Sequence, residues 1–514
     1  MCCASVASAQ NISGKVVDAQ GKPLPGAAVY WADTSVGVAT DIEGNFSLYR
    51  VKGNDALVAS FLGYTNDTIR VDQKAREVEF RLAEGVVVDA VVVESSAGNY
   101  IRQDGLLKSE NISFAGLCKM ACCSLAESFE NSASVTVGFS DAISGARQIK
   151  MLGLAGTYTQ ILDENRAIMR GISAPYGLSY TPGMWLSSIQ VSKGISSVTA
   201  GHEAITGQIN LEHRKPTDDE RLFLNLYFDS ELRPEINVSS AIPLTPDKSL
   251  STVIMAHGSL DTKSHDMNDP KDGYADMPKS NQINVANKWL WQTSDGKQFR
   301  WGWKVVNENR LGGQMGYTKD LYEEMVNNLE SNLYGSAIHN RNINAYIKAG
   351  IPVGYERTFT GDPADAVQNN VAMILDYDNY LTDSYFGRSK VDVMENTFRF
   401  NITYAHYFTQ RSSLNAGASY YARMMNDNYN HFGSNDGYAW ALQNHSSLME
   451  PGVFAEYTYQ IEEKFSLVAG IRGDYAMVGD NYYVKDAKNK FLITPRAHIK
   501  WNITPRTTLR ASAG

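Results

Sequence analysis

The stretch Ile189 to Pro216, IQVSKGISSVTAGHEAITGQINLEHRKP, decides how the rest of the chain is read. Ile189 and Val191 alternate with Gln190 and Ser192, the period of a half-buried strand. Gly194 and Gly201 punctuate a run of small residues. From Gly207 a second alternating run begins, Gln208-Ile209-Asn210-Leu211-Glu212. Pro216 has no N–H to give a ladder and closes the segment. Upstream of it the pattern is that of small mixed domains, and downstream it is one long series of antiparallel strands.

The downstream part begins near Arg221. Leu222, Leu224, Leu226 and Phe228 share one face, while Phe223, Asn225, Tyr227 and Asp229 share the other. Phe299, Trp301, Trp303 and Val305 repeat the alternation, as do Phe398, Phe400, Ile402 and Tyr404. Every second link is short and turn-like: Thr245–Lys248, Ser294–Lys297, Thr409–Ser412 and Ile503–Arg506. The others read as long and polar, notably Thr262–Ser280, Leu311–Asn340 and Asn426–Met449. Short turns on one side, long loops on the other, and strands of about ten residues are the signature of an outer-membrane β-barrel. A soluble sandwich or solenoid leaves the loop asymmetry unexplained. About a dozen strands are countable.

Composition agrees. A net charge of −9 over 514 residues, with both signs mixed, provides no basic stripe, so nucleic acid is not an expected partner. No run of eighteen apolar residues is present, which excludes a membrane-spanning helix but not a barrel. Ala7-Ser8-Ala9 has the A-x-A form of a signal-peptidase site. Residues 1–9 therefore read as the remnant of an export signal, or else as a disordered start.

Residues 10–83 carry short strands separated by turn residues, a pattern that predicts a β-sandwich. The motifs Gly14-Lys15-Val16-Val17-Asp18, Gly21-Lys22-Pro23-Leu24-Pro25-Gly26, a Thr40–Leu48 hairpin and Ser60-Phe61-Leu62-Gly63-Tyr64 resemble the carboxypeptidase regulatory-like domain, a transthyretin-like fold. Asp41 and Glu43 read there as turn and cap residues. Residues 84–96 hold a β-branched run that is either an ordinary strand or a segment free to add to a partner's sheet. Residues 97–216 resemble the plug of TonB-dependent outer-membrane receptors of the Bacteroidetes type. Three stretches carry that likeness: Leu125–Phe129 with Ser134–Val137, read as helix and strand; Gln148–Leu154 with Tyr158–Asn165; and Ile189–Pro216 itself. Lys150 stands where that family has arginine, and Glu164-Asn165 where it has Asp-Gly.

The resemblance implies a mainly β chain: sandwich, TonB-box-like linker, α+β plug, and a transmembrane antiparallel barrel over 217–514. Such receptors close with about twenty-two strands, so the barrel is expected to be C-terminally truncated here. It implies an outer-membrane protein with its N-terminal domain in the periplasm and lipid around the barrel. It also implies contact of Val86, Val87, Val88, Val91, Val92 and Val93 with the TonB–ExbB–ExbD energy-coupling complex. The implied activity is import of a scarce solute, such as a ferric siderophore, haem, cobalamin, copper, zinc or a glycan. A surface adhesion barrel without transport is the rival. No G-x-S-x-G, H-E-x-x-H, Walker or Rossmann pattern occurs in a fitting context, so no enzyme is expected.

Two stretches are candidate metal sites. Cys118, Cys122 and Cys123 would lie together on a helix and could hold copper or zinc, or be buried thiols, or form a disulfide. Asp266, Asn268, Asp272 and Asp276 partly match a calcium loop in an extracellular link, without its terminal glutamate. The alternative is an acidic, solvated loop.

Overall fold

The computed structural model describes residues 11–18, 21–32, 36–41, 43–51, 54–61, 64, 67–72, 75–82, 99–102, 109–119, 124–130, 132–229, 233–267, 270–321, 333–358, 366–432, 439–461, 464–479, 489–504 and 507–514. The chain divides into two compact units, residues 1–98 and 99–514. Residues 1–9 and the 84–96 linker lie outside the described residues.

The first unit has β1 (Asn11–Asp18), β2 (Ala28–Trp31), β3 (Gly37–Ala39), β4 (Asn45–Tyr49), β5 (Ala56–Ser60), β6 (Asp67–Arg70) and β7 (Glu77–Leu82). They form two sheets, β4-β1-β7 and β3-β2-β5-β6. Ile12, Val16 and Phe80 of one sheet pack with Val29, Trp31 and Leu57 of the other, the arrangement of a sandwich. Trp31 Nε1 donates to Tyr49 O at 2.8 Å, joining the sheets through a buried indole. The expected hairpin over Thr40–Leu48 is not one, because β3 and β4 belong to different sheets. Asp41 redirects the chain there: its Oδ1 accepts the Glu43 and Asn45 amides at 3.0 and 2.8 Å. Those amides, Asn45 first, hold the exposed Asp41 carboxyl below its ordinary value.

The second unit starts with β8 (Asn99–Arg102), β9 (Ser109–Ser113), α1 (Phe114–Lys119), β10 (Val135–Phe139), β11 (Arg147–Met151), β12 (Leu154–Ala155), β13 (Thr159–Asp163), β14 (Arg166–Ile168), α2 (Ala174–Gly177), β15 (Leu186–Lys193) and β16 (Gly207–His213). β15 and β16, the two strands of the opening stretch, pair antiparallel from Leu186↔His213 to Lys193↔Gly207. They are the centre of a six-stranded sheet, β14-β13-β16-β15-β9-β8, in which β13 and β16 run parallel. Ile189, Val191, Ile209 and Leu211 are fully buried against Ile112, Leu125 and Phe129. Gly207 has φ +156°, and a Cβ there would fall 2.2 Å from Ser192 O and 2.6 Å from Met151 Sδ. The expected helix near Leu125–Phe129 is only a 3₁₀ turn over Glu127–Phe129.

Thirteen strands follow: β17 (Phe223–Phe228), β18 (Pro234–Pro243), β19 (Leu250–Asp261), β20 (Lys279–Gln292), β21 (Gln298–Gly313), β22 (Gly335–Arg357), β23 (Val367–Phe386), β24 (Ser389–Thr409), β25 (Ser412–His431), β26 (Trp440–Ile461), β27 (Phe465–Val478), β28 (Lys490–Thr504) and β29 (Thr507–Ala513). They make one sheet in chain order, each strand antiparallel to the next. β22 has 23 residues and β26 has 22, twice the expected length. The ladder runs past the apolar band into polar sequence: Asn426, Asp427 and Asn428 pair with His445, Asn444 and Gln443. Most of the expected loop over 426–449 is therefore strand, whereas of the one over 311–340 only the ends, to Gly313 and from Gly335, join the ladder.

The two faces are reversed relative to a soluble sheet. Ile283, Ile347, Val453 and Ile471 are 54–64% exposed, while their inward neighbours Asn284, Tyr346, Phe454 and Arg472 are 0–6% exposed. The inward polar face lies against the β8–β16 domain, which bonds to residues of β20 through β24 and β26 through β28. A sheet whose successive strands all reach one central domain must curve around it. No helix among the described residues is long and apolar enough to cross a membrane.

Candidate functional site

The turn between β13 and β14, Asp163-Glu164-Asn165-Arg166, projects into the curved sheet. Glu164 and Asn165 have φ of 48° and 65°, both positive, as in the tight turns whose twist matches a hairpin. Asn165 N donates to Asn210 Oδ1 at 2.9 Å, fixing the turn to β16. Asp163 Oδ1 is 2.8 Å from His213 Nδ1, and Oδ2 is 2.5 Å from Arg166 Nη2. Lys288 Nζ of β20 stands 2.9 Å from Glu164 Oε1 and 3.5 Å from Asp163 Oδ1. Arg166 extends the chain of charges to Asp376 of β23 at 2.6 Å and lies 3.7 Å over the Tyr346 ring. Burial alone would raise both carboxyls, but the neighbouring imidazole, ammonium and guanidinium groups outweigh it. His213, Lys288 and Arg166 hold Asp163 well below the usual carboxylate range, and Lys288 leads in holding Glu164 at about 2.

Among the described residues, Asp163, Glu164 and His213 form the one group of potential metal ligands within 4.8 Å of each other. Lys288 and Arg166 already sit on those oxygens. The arrangement is an ion network between the central domain and the wall.

A second attachment grips the middle of the opening stretch. Arg496 Nη1 of β28 donates to Ser196 O, Ser196 Oγ and Ser197 O at 3.1, 2.7 and 3.0 Å, and Nη2 to His202 O at 3.0 Å. Glu456 Oε2 of β26 accepts from Ser197 Oγ at 2.7 Å and Val198 N at 3.1 Å. His202 Nδ1 lies 3.6 Å from Asp474 Oδ2, which Arg472 also engages. Gly201, at φ +101°, allows the loop to fold back under these residues.

A cavity of about 650 Å³ lies between the central domain and β25–β26. Arg147, Arg170 and Arg423 line it with Tyr158, Tyr421, Glu203 and Glu450, over an apolar floor that includes Ile149, Ile168 and Met169. Arg170 pairs with Glu203 and lies 4.2 Å over the Tyr421 ring. Burial pulls the Arg170 guanidinium down to about 10. Arg147 is held by Glu127 at 3.2 Å. The cavity can take a solute with anionic or hydrogen-bonding edges and an apolar body.

Those site residues named from sequence that fall among the described residues are elsewhere. Cys118 is an exposed thiol at the end of α1, pushed up by burial of its surroundings against the pull of Arg214. Cys122, Cys123, Asn268 and Val86 through Val93 lie outside the described residues. Asp266 Oδ2, Asp272 Oδ1 and Asp276 Oδ2 accept the Gly273, Tyr274 and Met267 amides at 2.8, 2.8 and 2.7 Å, so these carboxylates shape the loop. Sequence reading missed Lys288, Asp376, Glu456 and Arg496. Their signal was available: a charge on the polar face of a membrane strand needs a partner inside.

Two family models match the chain. Residues 12–93 fit a CarboxypepD_reg-like domain, and residues 257–514, half of the chain, fit the TonB dependent receptor-like β-barrel. The TonB-dependent receptor P26 of Formosa agariphila is 37% identical over 93 residues, 18% of this chain and 9% of that protein. The siderophore receptor PiuA of Acinetobacter baumannii superposes with a TM-score of 0.59 at 10% identity, over 81% of this chain and 66% of that one. The ferripyoverdine receptor of Pseudomonas aeruginosa does so at 0.62 and 10% identity, over 97% and 66%. The copper transporter OprC gives 0.57 at 13% identity, over 81% and 63%. The chain thus spans less than two thirds of each of these relatives.

Proposed function

The chain belongs to the TonB-dependent receptor family, and we propose that it imports a scarce solute, a metal complex foremost, across the outer membrane. The solute settles in the cavity beside Arg170 and Tyr421. TonB, powered by ExbB and ExbD, then pulls from the periplasm on the Val86–Val93 segment, and the plug, residues 97–216, rearranges to open a path along the polar lumen. The observation that carries the reading is the nature of the plug's attachment. Beside an apolar contact of Trp185 with Ala241, Val253, Met255 and Ala286, ion pairs and hydrogen bonds through Lys288, Asp376, Glu456 and Arg496 hold it to the wall. Water can replace such contacts one by one as the plug moves, whereas an apolar seam would resist at every step. Three arginines against two glutamates leave the cavity lining net positive, which favours a solute with anionic groups, as many chelated metal ions have.

The test is deletion of residues 86–93 in the full-length protein. Energised uptake should vanish while equilibrium binding of the solute to whole cells persists. Uptake that survives the deletion refutes energy coupling at this segment, and binding without uptake in the parent favours the adhesion reading. Growth of a deletion strain under iron, copper, zinc, cobalamin and glycan limitation identifies the solute class.

A further inference from the structure

On the lumenal face of β18 and β19, away from the cavity and the ion network, two cross-strand neighbours are buried with polar atoms that nothing satisfies. Asn237 and His257 pair in register and are 1% and 6% exposed. Asn237 Oδ1 and both ring nitrogens of His257 lack a hydrogen-bond partner. Glu235, two residues before Asn237 and 5% exposed, accepts Asn237 Nδ2 at 2.9 Å, and its Oε1 stands 3.4 Å from His257 Nε2. Among the described residues no lysine or arginine pairs with Glu235. A buried carboxylate without a strong cation, beside an imidazole and an amide oxygen that make no hydrogen bond, is a donor set without an electrophile.

We propose that Glu235, His257 and Asn237 form a binding site for a divalent first-row transition-metal ion on the lumen wall. Imidazole, carboxylate and amide oxygen suit zinc, nickel or cobalt(II), and disfavour a soft ion such as Cu(I). The spacing agrees. Two ligands bound tetrahedrally at about 2.0–2.1 Å lie roughly 3.3 Å apart, close to the distance from His257 Nε2 to the Glu235 oxygen. That distance is long for a hydrogen bond between the same atoms, which would close to about 2.9 Å. Rotation of the Asn237 amide presents Oδ1 to the same point, and water completes the shell. The Asp163–Glu164–His213 group differs in the decisive respect, because Lys288 and Arg166 occupy its oxygens. The wall site goes beyond the import reading, since it holds an ion whatever the cargo.

The full chain, folded in detergent and stripped with a chelator, is titrated with cobalt(II) and with zinc. One ion per chain is expected, with the weak visible bands of nitrogen and oxygen ligation and no intense near-ultraviolet thiolate band. His257→Gln should abolish that binding. Glu235→Gln should weaken it by more than about tenfold, since even changes behind the ligands commonly cost that much. Both variants are compared with the parent by circular dichroism; if His257→Gln does not fold, Glu235→Gln carries the test. Absence of stoichiometric binding, binding unchanged in Glu235→Gln, or a thiolate spectrum pointing to the cysteines overturns the proposal.

Discussion

Replacing Lys288 by methionine tests the ion network directly. Methionine keeps the length of the side chain and removes the ammonium that stands 2.9 Å from Glu164. Glu164 is held at about 2 from an ordinary value of 4.5, chiefly by Lys288 against the cost of burial. That depression, from 4.5 to about 2, corresponds to about 3 kcal/mol. Lys348 and the other cations stay behind, so about 2–3 kcal/mol of the plug's attachment should go. The β13–β14 turn should then open roughly thirty- to a hundred-and-fiftyfold more often. Amide hydrogen exchange, followed by mass spectrometry on the peptide spanning residues 159–168, reads this opening. A peptide within β26 serves as the control, because its ladder does not involve Lys288. Pairing the change with Glu164→Gln should give less than the sum of the two single effects, since both remove one interaction. Unchanged protection of residues 159–168 in Lys288→Met, or additive effects in the pair, would refute the reasoning.

Acid should loosen the same turn: the folded-state value of Glu164 is depressed, so its contribution is complete above about pH 4.5 and is lost as pH falls toward 2, measurable as rising exchange or protease cleavage in that window. Gly207→Ala should destabilise the plug by about 3 kcal/mol, from the 2.2 Å approach to Ser192 O and the positive φ; an unchanged unfolding midpoint would count against the close packing of β15 and β16. Ile471→Arg, on the outward face, should cost about 2–4 kcal/mol in lipid if that side chain lies near the bilayer midplane. Urea unfolding from liposomes would show it, and a neutral result would remove Ile471 from the lipid-facing surface.

The opening stretch was legible because its two strands are amphipathic in a way that only a shared core satisfies: Ile189, Val191, Ile209 and Leu211 all point inward and are all buried. The alternation of the barrel strands was equally plain. Strand length was not, because alternation of polar with apolar residues fades above the membrane while the backbone ladder continues, as at Asn426–Asn428. Hairpin assignment failed at Thr40–Leu48 for a related reason. A turn residue such as Asp41 signals that the chain reverses, but not whether the next strand joins the same sheet. The attachments were hidden more deeply, since Arg166 and Asp376 are 210 residues apart and no local pattern joins them.

The distribution of charge follows from the solvent on each side. A soluble domain places lysine and glutamate where water is; here the outside of the sheet faces hydrocarbon, so charges on its strands are cheap only toward the lumen. There they either meet water or meet the plug. Lys288, Asp376, Glu456 and Arg496 meet the plug from four different strands, β20, β23, β26 and β28, and their partners include backbone carbonyls as well as side chains. Three of the four acceptors of Arg496 are backbone carbonyls, of Ser196, Ser197 and His202, so its grip depends more on the course of the 196–202 loop than on side-chain identity, Ser196 Oγ apart. The side-chain network around Asp163 depends instead on four or five specific charges. A pull that distorts the loop would release the first attachment by geometry alone, while the second yields only when its ions are rehydrated. The two therefore differ in what breaks them, and a force applied to the plug should undo the Arg496 grip before the Lys288 network.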